Sequence, residues 1–191
     1  MNEVRNAGCP GSNTRQNNRQ SQGGKPSGAA EPPYPKVQVK GVNPGYARAM
    51  LDNMGGVNSE MSAVSLYFYN HLVLESIQEE LAKVYHQVSI VEMHHLELFG
   101  ELALQLGADP RLWARTPCGR QYWSPGYNRY PKPLKQMLCH SIQGEKAAIR
   151  KYEAQSKQIE DEGVICILKR IIEDEEKHVE LFTGFLEKYC K

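Results

Sequence analysis

What this sequence has little of narrows it quickly. Its five cysteines (9, 118, 139, 166 and 190) are scattered, with no C-x-x-C pair. That excludes a disulfide framework, a zinc ribbon and a rubredoxin-type iron site, and it predicts reduced thiols. Net charge is only +1, so no basic field is present to hold nucleic acid or an anionic membrane. The longest apolar runs, such as Val164-Ile165-Cys166-Ile167-Leu168, are far too short to span a bilayer. The N-terminal stretch lacks the apolar segment of a secretory signal, so a cytoplasmic protein is expected. No strand-like alternation competes with the helical patterns that fill the chain.

At 191 residues there is room for one domain with a sizeable core plus an appendage. Residues 1–35 are rich in Asn, Gln, Gly, Ser and Pro and almost devoid of apolar side chains. They cannot bury enough surface to offset the entropy of ordering, and they read as a disordered polar tail ahead of a domain over 36–191. Within that domain Asn43-Pro44 is a helix start, with Asn as cap and Pro at the first helical position, and Gly55-Gly56 is its stop. A helix over about 57–74 follows. The next is expected to open at Ser76 with a capping box, Ser76-x-x-Glu79, and to run to Gly107. Two more, over about 133–160 and on to Tyr189, meet at the turn Asp161-Glu162-Gly163. Residues 108–132 mix Trp113, Tyr122, Trp123, Tyr127 and Tyr130 with four arginines and read as a long connection pinned to the helices by its aromatics. Helix, short turn, helix, long crossover, helix, short turn, helix predicts an all-α fold: an antiparallel four-helix bundle of the ferritin-like form.

The chemistry lies in a phrase written twice. Glu92-Met93-His94-His95-Leu96-Glu97-Leu98-Phe99 and Glu175-Glu176-Lys177-His178-Val179-Glu180-Leu181-Phe182 both read E-x-x-H-x-E-L-F. Residues i and i+3 share a helix face, so each copy aims a carboxylate and an imidazole the same way. Positions facing each other in an antiparallel pair lie equidistant from the turn. Glu60 mirrors Glu92 about residue 76, and Glu145 mirrors Glu175 about residue 160. Each mirror glutamate is followed seven residues on, two turns along the same face, by a tyrosine: Tyr67 and Tyr152. Glu60, Glu92, His95, Glu145, Glu175 and His178 are thus the candidate ligands for two iron or manganese ions, since carboxylates bridge and neutralise the cations while imidazoles cap each end. Tyr67 or Tyr152 would donate a hydrogen bond to bound peroxide or shuttle an electron. Asp174, four residues before His178, would orient a ligand imidazole, while Val91 takes that place in the other copy. His94, His71, His86 and His140 are expected outside the site, and Glu97 and Glu180 in surface ion pairs.

On these motifs, together with Ser59-Glu60-Met61-Ser62-Ala63-Val64 and Gly144-Glu145-Lys146-Ala147-Ala148-Ile149, the sequence resembles the ferritin-like superfamily in its rubrerythrin and bacterioferritin-like branch, over about residues 36–188. The lead-in from Tyr34-Pro35 through Asn43-Pro44 to Gly55-Gly56 is similar to that of manganese catalases and their spore-coat relatives. The resemblance implies a di-metal centre that reacts with hydrogen peroxide or dioxygen or oxidises ferrous iron, in a homodimer without nucleic-acid partners. Full-length rubrerythrins carry a rubredoxin domain for which this chain has no cysteine pairs. Manganese catalases lack a ligand equivalent to Glu175, so the six-residue set leans toward iron. The chain stops just past the fourth bundle helix, without the extra C-terminal helix of cage-forming ferritins. An iron-storage subunit and a structural coat protein with a passive metal are the alternatives.

Overall fold

A computed structural model describes residues 28–30 and 33–190. The expected polar tail therefore falls mostly outside the described residues. Its last part, residues 28–30 and 33–35, runs against the helices, as described below.

Three helices open on a side chain that satisfies otherwise free backbone N–H groups. The Asn43 side chain accepts from Gly45 N and Tyr46 N at 3.0 and 3.1 Å to start α1 (Pro44–Gly55). Ser59 accepts from Ser62 N to start α2 (Glu60–Leu74). Next come α3 (Glu79–Gln105) and, after the crossover, α4 (Leu134–Gln158). Asp161 caps the last helix, α5 (Glu162–Tyr189), accepting from Gly163 N at 3.0 Å and Val164 N at 3.3 Å. The second Asp161 oxygen takes Lys40 N at 2.7 Å, so one carboxylate both starts α5 and ties down the segment before α1.

The capping box expected at Ser76 does not form. The Leu74 carbonyl accepts from both Ile77 N and Gln78 N, which carries the last turn of α2 past Ser76. No side chain caps α3; Glu79 and Glu80 meet its positive end instead.

Antiparallel hairpins α2–α3 and α4–α5 are joined by one long crossover, the expected four-helix arrangement, with α1 laid against α3. α3 and α5 are in direct contact, whereas α2 and α4 stand further apart. The crossover holds something the sequence pattern hid: a short antiparallel ribbon of β1 (Trp113–Thr116) and β2 (Gly119–Tyr122), in register Trp113↔Tyr122 and Arg115↔Arg120. Only Ala114 of its residues is buried, so it shows no apolar alternation. Gly119 supplies the turn, at φ +115°, a region that favours glycine. Aromatic and polar contacts pin the crossover to α2: Trp123 Nε1 donates to Ser62 Oγ at 3.0 Å, Asn128 Nδ2 donates to the Ser62 carbonyl at 3.0 Å, and Tyr130 meets the Tyr69 ring edge-on at 4.6 Å.

The core is in two parts. One holds Met50, Leu51, Phe99, Leu102, Ile167 and Ile171, the other Leu81, Tyr85, Val88, Leu138 and Phe182. The buried polar belt described next lies between them. Among the described residues no helix is long and apolar enough to cross a membrane. Cys166 is disulfide-bonded, which departs from the expectation of reduced thiols, while Cys118, Cys139 and Cys190 are free.

Close approach fixes one glycine. A Cβ on Gly163 would sit 1.7 Å from the Gln38 carbonyl oxygen, an immovable backbone atom. Gly163→Ala is expected to destabilise the fold by about 1–3 kcal/mol, an overpacking cost. Thermal unfolding reads this as a fall in Tm of about 2–4 °C per kcal/mol in a chain of this size.

Candidate metal centre

Spacing along the helices decides which side chains meet. On α3, Glu92, His95 and Phe99 follow one another at i, i+3 and i+7 on one face; on α5, Glu175, His178 and Phe182 do the same. α2 brings Glu60 and α4 brings Glu145. The structure draws these six candidate ligands together in two overlapping groups, Glu60–Glu92–His95–Glu175 and Glu92–Glu145–Glu175–His178, with ligand atoms within 4.8 Å of one another in each. Glu92, His95, Glu175 and His178 are 0 % exposed, and Glu60 and Glu145 are 2 % exposed.

Glu92 and Glu175 are the members common to both groups. Glu92 sets Oε2 3.1 Å from His95 Nδ1 and Oε1 3.0 Å from His178 Nδ1. Glu175 mirrors this, with Oε1 3.3 Å from His95 Nδ1 and Oε2 3.1 Å from His178 Nδ1. Each carboxylate thus spans the two halves, while Glu60 and Glu145 each belong to one. Both Oε1 atoms are fully buried and make no hydrogen bond. Burying ionised carboxylates without strong partners costs several kcal/mol each, and an apolar core has no use for four of them. Hard oxygen donors with one imidazole at each end suit a pair of iron or manganese ions, so the residues present fit the centre that the motifs imply.

Metal-free, the cluster copes with its charge by holding protons. Burial first, then Glu92 and Glu175, push the pKa of Glu60 well above the carboxylate range, and the same causes act on Glu145. Burial opposes charge on Glu92 too, but His178 and then His95 outweigh it and hold its pKa at about 2. Burial likewise disfavours the imidazolium forms. Against it, Asp174, Glu175 and Glu92 raise His95 well above the histidine range, and Glu92 and Glu175 push His178 up to about 9.

The tyrosines cross over. Each stands on its own glutamate's helix but reaches the other's: Tyr67 on α2 donates to Glu145 Oε1, and Tyr152 on α4 donates to Glu60 Oε1 at 2.5 Å. Burial and then those carboxylates raise both phenols well above their ordinary range. The phenylalanine of each E-x-x-H-x-E-L-F phrase backs one of these rings, Phe99 against Tyr152 at 5.3 Å and Phe182 against Tyr67 at 5.4 Å. That gives a physical role to the part of the phrase that binds nothing.

Asp174 departs from the sequence reading. It serves not His178 on its own helix but His95 across the bundle, with Oδ2 3.0 Å from Nε2. His178 Nε2 has no hydrogen-bond partner and faces Gly28, whose Cβ would stand 3.5 Å away. Asp174 also takes Ala30 N at 2.5 Å, Arg170 Nη1 at 2.7 Å and the hydroxyl of Tyr34. Ala29 O and Ala30 O accept from Lys177 and Arg170. Residues 28–30 and 33–34 thereby form a strap over the α3–α5 side of the site. Tyr34 is the residue that sequence reasoning missed, because it fell inside the expected tail; its setting between Pro33 and Pro35, just before the apolar Val37, is the signal that marks it. The other histidines stay out of the cluster. His94 meets Tyr34 edge-on at 4.5 Å, the His71 and His86 rings lie 4.8 Å apart on the far side of the hairpin, and His140 is on α4 near the crossover.

Two outcomes follow for metal content. Because Glu92 belongs to both groups and His178 to one, His178→Ala should retain about one ion per chain while Glu92→Ala weakens both, read by elemental analysis of protein loaded with ferrous or manganous ions. Loading must also expel protons from Glu60, Glu145 and the two imidazoles. Apparent affinity should therefore weaken as pH falls and strengthen as pH rises toward about 9, the pKa at His178. Calorimetry in buffers of different ionisation enthalpy should show net proton release on binding.

Solved structures with the same fold include manganese catalases and bacterioferritins. KatB, a manganese catalase from Anabaena PCC7120, superposes with a TM-score of 0.73 at 23 % identity, over 85 % of this chain and 80 % of that one. The bacterioferritin BfrA of Mycobacterium tuberculosis gives 0.64 at 20 % identity, over 78 % and 87 %. A dodecameric thioferritin, the bacterioferritin-related protein of Bacteroides fragilis, gives 0.60 at 18 % identity, over 78 % and 94 %. At these identities the likeness shows the ferritin-like fold and nothing finer. No curated protein sequence matches the chain significantly. The rubrerythrin family model matches residues 56–186, which span every helix of the bundle. The chain belongs to the rubrerythrin family.

Proposed function

We propose that this chain is an oxidoreductase whose two buried ions, iron or manganese, act on hydrogen peroxide or dioxygen. The observation that carries this reading is the double reach of Glu92 and Glu175, each within 3.0–3.3 Å of both histidines. A pair of ions sharing two carboxylates supplies two electrons at one place, which is what cleaving a peroxide bond requires. Glu92 and Glu175, which reach both histidines, would hold both ions, while Glu60 with His95 and Glu145 with His178 would each hold one. Tyr67 and Tyr152 donate their hydroxyl protons to Glu145 and Glu60, so each phenol is a proton donor stationed beside a candidate ligand carboxylate. Glu175 as a sixth donor leans the set toward iron, and both metals accept these residue types. Phe68 and Leu72 on α2 with Ile90 and Met93 on α3 are exposed apolar side chains that a second copy would cover, in keeping with a homodimer.

The bacterioferritin likeness favours one second reading, oxidation of ferrous iron for storage or detoxification. Protein loaded with two ions is expected to turn over hydrogen peroxide at a rate that falls at least tenfold in Glu92→Ala. Faster consumption of ferrous iron than of peroxide, in an assembly larger than a dimer, would favour the second reading. No reaction with peroxide, dioxygen or ferrous iron would leave the metal a structural role and overturn both.

A further inference from the structure

The two sides of the metal ligands are not alike. On the α3–α5 side the strap closes over both imidazoles, with Gly28 against His178 Nε2 and with Tyr34 against His95 Nε2 at 3.4 Å. On the α2–α4 side the helices stand apart, and a cavity of about 200 Å³ lies between them. Its walls include Glu60, Glu145, Tyr67 and Tyr152, so it ends on two of the candidate ligands and on both phenols that hold them. Tyr127 and Asn128 of the crossover also line it. Asn128 and the nearby Trp123 are tied to Ser62 of α2, whose carbonyl takes Asn128 Nδ2 and whose hydroxyl takes Trp123 Nε1, both at 3.0 Å.

Gly144, one residue before the candidate ligand Glu145, is part of the cavity wall. A Cβ built there meets no atom within 4 Å. Glycine in the middle of a 25-residue helix costs helical stability relative to other residues. Nothing in the packing demands it, because no backbone approaches closely and its φ is ordinary. What glycine keeps at that position is open space.

We infer that the α2–α4 cleft is the passage by which a small oxidant reaches the metal ligands, with Gly144 setting its width and Tyr127–Asn128 forming its cover. The inference rests on the proposed redox reading for the identity of the oxidant, peroxide or dioxygen. Size supports that class: about 200 Å³ holds a few water-sized molecules, at about 30 Å³ each, and falls short of the roughly 300 Å³ at which organic ligand sites begin. An organic reductant therefore stays outside, and its electrons must cross the protein.

The test plugs the passage without touching a ligand. Gly144→Leu is expected to hold two ions per chain and to show a Tm no lower than wild type. The second-order rate constant for azide binding to the di-ferric protein, followed by its charge-transfer absorption, should fall at least tenfold, with Gly144→Ala in between. In the opposite direction, Asn128→Ala releases the cover and should speed azide binding several-fold. Azide entering Gly144→Leu at the wild-type rate, with metal content unchanged, would overturn the passage. An unchanged rate in Asn128→Ala would overturn the cover. Should the wild type fail to consume peroxide while the azide rates change as expected, the passage stands and the peroxide reading falls.

Discussion

Four carboxylates and two imidazoles at 0–2 % exposure in the middle of a helical bundle are the constraint on which the rest of this structure depends. Ionised groups taken out of water repel or must be paired, and each unpaired one costs several kcal/mol. The fold answers in layers. The glutamates shared by both halves bind the imidazoles, the terminal glutamates keep their protons or accept from tyrosines, and two apolar clusters seal the belt above and below. Such a belt weakens an empty bundle, so stability is tied to what fills it. Cations that replace the held protons turn mutual repulsion among carboxylates into attraction toward a shared centre.

Two-fold repetition organises that answer, and the places where it breaks carry the most information. Phe99–Tyr152–Glu60 and Phe182–Tyr67–Glu145 are the same ring-on-ring-on-carboxylate stack built twice. Each stack links the two hairpins, since the phenol on α2 or α4 serves the glutamate of the other. The repetition fails at the imidazoles. His95 passes its Nε2 to Asp174, and through it to Tyr34, Ala30 and Arg170, while His178 Nε2 has only Gly28 nearby. A carboxylate behind one imidazole raises that imidazole's basicity and fixes its orientation. The two halves of the cluster are thus electronically unequal although their residues are of the same types.

The helices and the six-residue cluster were legible because both rest on periodicity. A spacing of three or seven on a helix, and a mirror distance across a short turn, translate directly into shared faces and facing pairs, as Glu60 with Glu92 shows. What was hidden depends on contacts that no period announces. The ribbon at Trp113–Tyr122 buries only Ala114, so it wrote no alternation into the sequence. Ser76 looked like a cap, but the preceding helix took its place by spending the Leu74 carbonyl on two later N–H groups. The tyrosines were placed on the faces of their own glutamates, but periodicity along one helix said nothing of the contact each makes across the bundle with the glutamate of the other hairpin. Tyr34 was legible as the start of the lead-in to α1 but not as part of the site, because only Asp174, 140 residues later, explains why it is held.

Closing one side of such a site has a consequence for the other. If the strap at residues 28–30 and 33–34 and the crossover at 123–128 were both firmly shut, the centre would be a structural plug, and a glycine at 144 would bring only a helix penalty. If both were open, water would reach the imidazoles, and Asp174 would be solvated instead of committed to four donors. One closed side anchored on Asp174 and one narrow side bounded by Glu60 and Glu145 is the arrangement that admits a small reactant while keeping the charge cluster dry. On the proposed passage, the N-terminal segment covers the histidine end of the site through Asp174, and the crossover stands over the glutamate end.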